Sequence, residues 1–225
     1  MDTKAQKKRR SAPVGRRNEL TRSEGKLRTR QALIEAALSL MAGNRSFTGL
    51  SLREVTRRAR IVPNAFYRHF RNLDALGRAI LDEGGLTLRR LLRQVREAGL
   101  PDREVVRRSV EVYVRYVLKN RANFLFVVRE RAGGSAIFRE AIRREISHFA
   151  SEMAADFADF GFFPHLSRIS QLMTAQIVVE MMLAAAVDIL DLPPGRDDLE
   201  AELVERLKRH LIVVLLGTRA WRDPK

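Results

Sequence analysis

The 225-residue chain contains no cysteine. That absence excludes disulfide cross-links, thiolate nucleophiles and cysteine-ligated zinc, and it suits a reducing interior, so the cytoplasm is the expected location. Histidine is nearly as scarce: His69, His148, His165 and His210 are scattered and form no His-Glu-x-x-His motif. Each reads most simply as a surface or helix-packing residue, and no metal site is expected. Neither a glycine-rich phosphate loop nor a Gly-x-Ser-x-Gly nucleophile turn occurs, so an enzyme is not the expected reading. No apolar-polar alternation is long enough to make a strand. The basic N-terminus is not followed by the apolar core of a secretory signal. The most apolar stretch, Ile169 to Leu190, includes Gln171, Gln176, Glu180 and Asp188. Charges at bilayer depth are costly, so it is expected to be a buried helix with no membrane role.

Positive charge is abundant, with a formal net charge of +15, and it is unevenly spread. Residues 1–72 hold 18 Lys and Arg against 5 Asp and Glu, leaving 24 against 22 for the rest of the chain. A basic block beside a near-neutral body suits phosphate binding, because neutralised phosphates release counterions and supply affinity independent of sequence. Nucleic acid is the first candidate partner. A solubilising tail or an anionic membrane surface is the alternative explanation of the charge alone.

Residues 1–24 mix basic residues with Pro13 and Gly15 and show no apolar periodicity, which predicts a disordered basic arm. From Gly25, Leu27, Leu33, Ala36, Ala37, Leu40 and Met41 lie at helical spacing, a first helix that Gly43 should stop. Ser51 precedes Leu-Arg-Glu, with Glu54 at the capping-box position, so a second helix begins there and runs to about Ala59. After a break at Arg60-Ile61, Pro63 suits the first turn of a third helix, Pro63 to Phe70. Six further helices are expected at about Leu73–Ala98, Asp102–Lys119, Ala122–Arg131, Ser135–Phe160, Pro164–Leu190 and Arg196–Arg219, with Asp102 and Ser135 as caps. Gly84-Gly85 inside the first of these is either a bend between two units or a packing requirement. The fold is therefore all-α: a DNA-binding domain at 25–72 and a helical effector-binding and dimerisation domain at 73–225.

Two short helices joined by a tight turn are the geometry that presents a helix to the major groove. Leu52, Val55 and Ala59, then Phe66 and Phe70, form the inner faces. Asn64, Ala65 and Arg68, with Tyr67 and His69, form an outer set able to meet base edges or phosphates. Ser51, at the start of the second helix, and Arg53 suit a phosphate contact.

The stretches Ser51-Leu-Arg-Glu-Val-Thr-Arg-Arg-Ala59, Ile61-Val-Pro-Asn-Ala-Phe-Tyr-Arg-His-Phe70 and Leu73-Asp-Ala-Leu76 resemble the TetR-family DNA-binding domain. The resemblance implies that Tyr67 and His69 touch the DNA backbone and that Pro63, Asn64 and Ala65 approach bases. The family usually has glycine where Arg60 stands, because a left-handed backbone suits glycine there. Arg60 therefore costs about 1 kcal/mol or alters the turn, and it can reach a phosphate. Ile80 to Arg89, Val128 to Arg139 and Glu145 to Phe149 are similar to the bacterial repressors of unsaturated fatty-acid synthesis, which respond to acyl-coenzyme A. That similarity implies a repressor of fatty-acid genes acting as a homodimer on a near-palindromic operator. Other readings are a TetR-type repressor of an efflux or catabolic operon, or a non-specific nucleoid or membrane-surface binder.

In the body, Phe124, Phe126, Phe138, Phe149, Met153, Ile177 and Met181 are candidates for the wall of an apolar effector pocket, although such stripes are more often ordinary core. No bound cofactor is expected beyond a fatty acyl-coenzyme A effector. Arg129, Arg131, Arg139 and Arg143 can meet its phosphates or pair with Glu130, Glu140 and Glu145. Ile169, Met173, Gln176, Ile177, Glu180 and Leu183, then Leu203, Leu207, Leu211, Val214 and Leu215, offer wide apolar faces on the last two helices, which the family pairs into a four-helix bundle.

Overall fold

Runs of apolar residues at spacings of three and four make a helix wherever glycine, proline or a capping side chain does not interrupt them. In the computed structural model, which describes residues 14–42 and 45–223, these runs become nine α-helices and no strand among the described residues. They are α1 (Val14–Met41), α2 (Leu52–Ala59), α3 (Pro63–Phe66), α4 (Leu73–Glu97), α5 (Asp102–Lys119), α6 (Arg121–Arg131), α7 (Ala136–Asp159), α8 (Arg168–Leu190) and α9 (Asp197–Ala220).

Four of the starts are fixed by side-chain caps. Ser51, Asn72, Ser135 and Ser167 accept hydrogen bonds from the backbone N–H groups of Glu54, Ala75, Phe138 and Ser170, satisfying donors that a helix cannot satisfy itself. Ser167 explains why α8 starts there and not at Pro164. Asp102, expected to cap α5, does not: Pro101 occupies that position, and Asp102 pairs instead with Arg219 of α9. The first helix begins at Val14, so the expected disorder does not extend over 14–24. Arg, Glu and Leu propagate a helix already nucleated downstream, even without an apolar face. Residues 1–13 of the arm, and Gly43, lie outside the described residues.

Two hydrophobic cores form. The head core gathers Leu33, Ala37 and Met41 of α1, Val55 of α2, Phe66, Phe70 and the first turns of α4 through Leu76 and Ile80. The body core gathers Val110, Val114 and Val117 of α5 with Ala150, Ala175, Ile189 and Leu207 from α7, α8 and α9. Helix α4 belongs to both, with Leu76 and Ile80 in one and Leu88 and Leu92 in the other. The residue 72 division therefore separates elements in sequence, while α4 carries packing across it.

Polar seams hold α4 against α7. Asp156, fully buried, accepts from Arg96 Nε at 2.8 Å and pairs with Arg93, and Arg89 pairs with Glu145 and Glu152. The helix runs unbroken through Gly84 and Gly85. A side chain at Gly85 would overlap the Glu145 carboxylate, and one at Gly84 would press on the Asn123 amide at 3.2 Å. Close packing accounts for both glycines.

Candidate nucleic-acid interface and ligand cavity

The head buries most of its apolar residues and leaves its polar ridge in solvent, although Leu27 and Val62 are exposed as well. Val55, Thr56, Phe66 and Phe70 are buried, and Leu52 and Ala59 are partly buried against them. The opposite side exposes Ser51, Arg53, Arg60, Pro63, Asn64, Tyr67 and Arg68, while Ala65 and His69 are half-buried. Of the nine residues picked from sequence, seven are thus exposed and none is fully buried. The helix presenting them is shorter than expected: α3 ends at Phe66, and Tyr67 to His69 continue as a turn, with Arg68 N–H donating to Ala65 O at 3.3 Å and His69 N–H to Phe66 O at 2.9 Å. These tighter three-residue bonds close a chain that must turn toward Asn72, the cap of α4.

The start of α2 carries the full capping box. Ser51 Oγ accepts from Glu54 N–H at 3.3 Å, and the Glu54 carboxylate accepts from Ser51 N–H at 3.0 Å. Arg45 also donates to that carboxylate at 2.9 Å. Arg45 and Ser51 together hold the Glu54 carboxyl down at about 2, so it stays ionised and the cap persists at acid pH. The turn after α2 is left-handed at Arg60, φ 57° and ψ 41°, with Ile61 N–H donating to Thr56 O at 2.9 Å. This closes the helix in the manner usually supplied by glycine.

The ridge is electrostatically available. Arg53, Arg57, Arg60, Arg68 and Arg71 have no carboxylate partner, unlike Arg45 and Arg30, which pair with Glu54 and Glu83. His69 turns its Nδ1 inward, where it is buried with no hydrogen-bond partner. Burial lowers its pKa first, and the neighbouring charges of Lys26, Arg30 and Arg68 lower it further, so the free protein favours the neutral imidazole more than a free histidine would. An approaching phosphate would offset that field.

Inside the body lies a cavity of about 200 Å³ with almost wholly apolar walls. Its wall follows α4 from Ile80 to Arg96, a span of roughly 24 Å at the helical rise per residue. Phe124, Phe149 and Met153 line it as the sequence suggested. Phe126 and Phe138 do not: they are buried in the head core, where Phe47 meets them at ring-centroid distances of 5.0 and 5.1 Å. Ile177 is exposed on the outer face of α8, and Met181 packs on the body core away from the cavity wall. Helical periodicity identifies an apolar stripe but not which of two cores it enters. Among the polar groups on the wall, Tyr113 donates to Met182 O at 2.7 Å and Tyr116 to Gly84 O at 2.9 Å. Asn123 makes no hydrogen bond, and its buried Oδ1 is unsatisfied.

The arginines expected to meet ligand phosphates are engaged elsewhere. Arg131 pairs with Glu180, Arg139 donates to Gly133 O at 2.5 Å, Arg143 pairs with Glu140 at 2.6 Å, and Arg129 donates to Arg45 O at 3.4 Å.

Sequence profiles decide the family. Residues 33–80 match the bacterial regulatory proteins of the tetR family, and residues 102–213 match the tetracyclin repressor-like C-terminal domain. The chain belongs to the TetR family. This TetR-family protein is a DNA-binding transcriptional regulator, which sets it among non-enzymatic proteins. Its fold is shared with the fatty acid degradation regulator FadR from Bacillus halodurans, at 13% identity and a TM-score of 0.66 over 85% of this chain and 96% of that one. A TetR-family regulator from Rhodococcus sp. is similar at 19% identity and a TM-score of 0.65 over 84% and 98%. SmeT in its complex with triclosan is similar at 18% identity and a TM-score of 0.59 over 85% and 90%.

Proposed function

We propose that this regulator is a repressor that binds a near-palindromic operator as a homodimer and releases or tightens its grip when a long-chain apolar effector, of the fatty acyl-coenzyme A class, fills the body. It would act in the cytoplasm on genes of fatty-acid synthesis or desaturation. One observation carries the reading: α4, which starts three residues after Phe70, also walls the cavity along most of its length. A ligand that favours one placement of α4 biases the attitude of the head, because binding energy differing between two states shifts their populations. The elongated apolar space suits an extended hydrocarbon, and the similar FadR structure is that of a fatty acid degradation regulator.

On the DNA side, Asn64 and Arg68 supply amide and guanidinium groups suited to base edges, while Ser51, Arg53, Arg60, Tyr67 and His69 stand where phosphate contacts fix register. Pro63 and Ala65 bring the backbone close to the bases. Gel-shift assays on promoter fragments should show one preferred inverted repeat. Asn64→Ala with Arg68→Ala should erase the preference and leave weak, salt-sensitive association. A double variant that still selects the same repeat would refute the assignment.

For the dimer, α8 leaves Ile169, Met173, Ile177 and Val187 exposed in one stripe, and α9 leaves Ile212, Val213 and Leu216 exposed beside it. Leu183, Leu203, Leu207 and Leu211, expected from sequence to face a partner, are instead buried within the chain.

A further inference from the structure

The cavity shares four lining residues, Ile80, Gly84, Tyr116 and Asn123, with a second, wider groove of about 740 Å³ bordered by α1, α4, α5 and α6. The groove is more polar than the cavity, although apolar surface still makes up the larger part of its wall. Its rim brings Gln31 and Glu35 of α1 and Glu83 of α4 opposite Arg115 and Lys119 of α5 and Arg121 of α6. The charges are not equivalent. Glu83 pairs with Arg30, Glu35 accepts from Gln31 at 3.2 Å, and Arg121 donates to the carbonyl of Leu190. Arg115 and Lys119 make no ion pair or hydrogen bond. Helical spacing would join Arg115 to Glu111, but Glu111 is taken by Arg107 at 2.6 Å. Two cations four residues apart on one exposed helix face repel each other. Both line the groove that borders the apolar cavity.

We propose that Arg115 and Lys119 form a subsite for the anionic head of an amphipathic ligand whose apolar tail occupies the cavity. The inference rests on the effector reading of the cavity given above and adds to it the chemistry of the ligand's outer end. Tail and head are read by different surfaces: dispersion and water exclusion along α4, and charge at the α5 rim. Asn123, with an unmet acceptor at the junction, is placed to accept from a donor at the neck of the ligand, such as the amide N–H of a pantetheine arm. A seated head group would touch α1 and α5 together, so it would bridge the DNA-binding unit and the body. The coenzyme A phosphates of an acyl thioester and a free fatty carboxylate share the required chemistry of an anion on a long chain.

The test measures the affinities of the full-length protein for palmitoyl-coenzyme A, palmitate and hexadecanol by displacement of a neutral environment-sensitive dye. The three probes share a tail and differ in head charge. The wild type should bind both anions more tightly than the alcohol, with the difference shrinking as salt is added. Arg115→Ala with Lys119→Ala should weaken anion binding about tenfold, as expected for losing two exposed charge contacts, and leave hexadecanol unchanged. Arg115→Lys with Lys119→Arg should retain anion affinity. A loss confined to palmitoyl-coenzyme A would assign the subsite to its phosphates, and an equal loss for palmitate would assign it to a carboxylate. Unchanged anion binding in the alanine pair, or an equal fall for the alcohol, would overturn the subsite while leaving the cavity reading intact. If the wild type binds none of the three, the effector reading itself fails.

Discussion

Arg60 is the only non-glycine residue with positive φ among the described residues. An L side chain in that region costs about 1 kcal/mol. Arg60→Gly should therefore raise thermal stability by about that amount, seen as a melting temperature several degrees higher. Because Arg60 is exposed and has no carboxylate partner, the variant should also show weaker operator binding with a shallower salt dependence. A melting temperature that falls would contradict the strain. The left-handed turn was legible in sequence from the missing glycine alone. His69 was legible as a polar residue on the ridge, but its inward Nδ1 was not, since one-dimensional spacing says nothing about which ring atom is desolvated. Its pKa is lowered in the free protein by burial and by Lys26, Arg30 and Arg68. Bound phosphates would oppose those charges and raise it, so operator binding takes up a proton. Affinity should rise as pH falls from about 8 to about 6, the ordinary histidine range. The dependence should flatten in His69→Gln, and an equally steep dependence in that variant would exclude His69 as the source.

At the scale of the element, helix starts and stops were legible because capping and turn residues act locally. Ser51, Pro63, Ser135 and the Gly99-Leu-Pro101 junction all fall where sequence placed them. What periodicity could not supply is the destination of each apolar face. Phe126 and Phe138 carry the same helical signature as Phe124 and Phe149, yet they cross to the head and stack on Phe47, at the 3-10 turn Phe47–Gly49. That choice depends on contacts between segments about eighty residues apart, and Gly77 makes room for it. A Cβ at Gly77 would lie 2.5 Å from Phe138 Cε1 and 3.0 Å from Phe47 Cε1. Gly77→Ala should therefore destabilise the protein by about 1–3 kcal/mol despite alanine's better helix propensity. Denaturant titration checks the sign. A more stable variant would mean that the aromatic trio yields freely and does not fix α4 against the α6–α7 pair.

Across the whole molecule, the charge division seen in sequence corresponds to a structural one. Arg53, Arg57, Arg60, Arg68 and Arg71, in α2 and the turns around α3, are exposed without a carboxylate partner, and the body pairs most of its charges along α4, α5 and α7. The apolar stripe of α8 and α9 remains open to solvent in the single chain. Joining two copies there would cover it and set two ridges on one side of a duplex, which is what a two-fold operator requires. Arg115 and Lys119 escaped the sequence reading because their isolation depends on Glu111 choosing Arg107, a choice that spacing leaves open. The central claim is symmetric engagement of DNA by the Ser51–His69 ridge. Footprinting of the purified protein on its own promoter region, with the mass of the complex measured by sedimentation, tests it most directly. The account predicts protection of one inverted repeat whose half-sites lie about one helical turn apart, with an even number of chains bound per site. Uniform protection along the fragment, or a single chain on an asymmetric site, would contradict it.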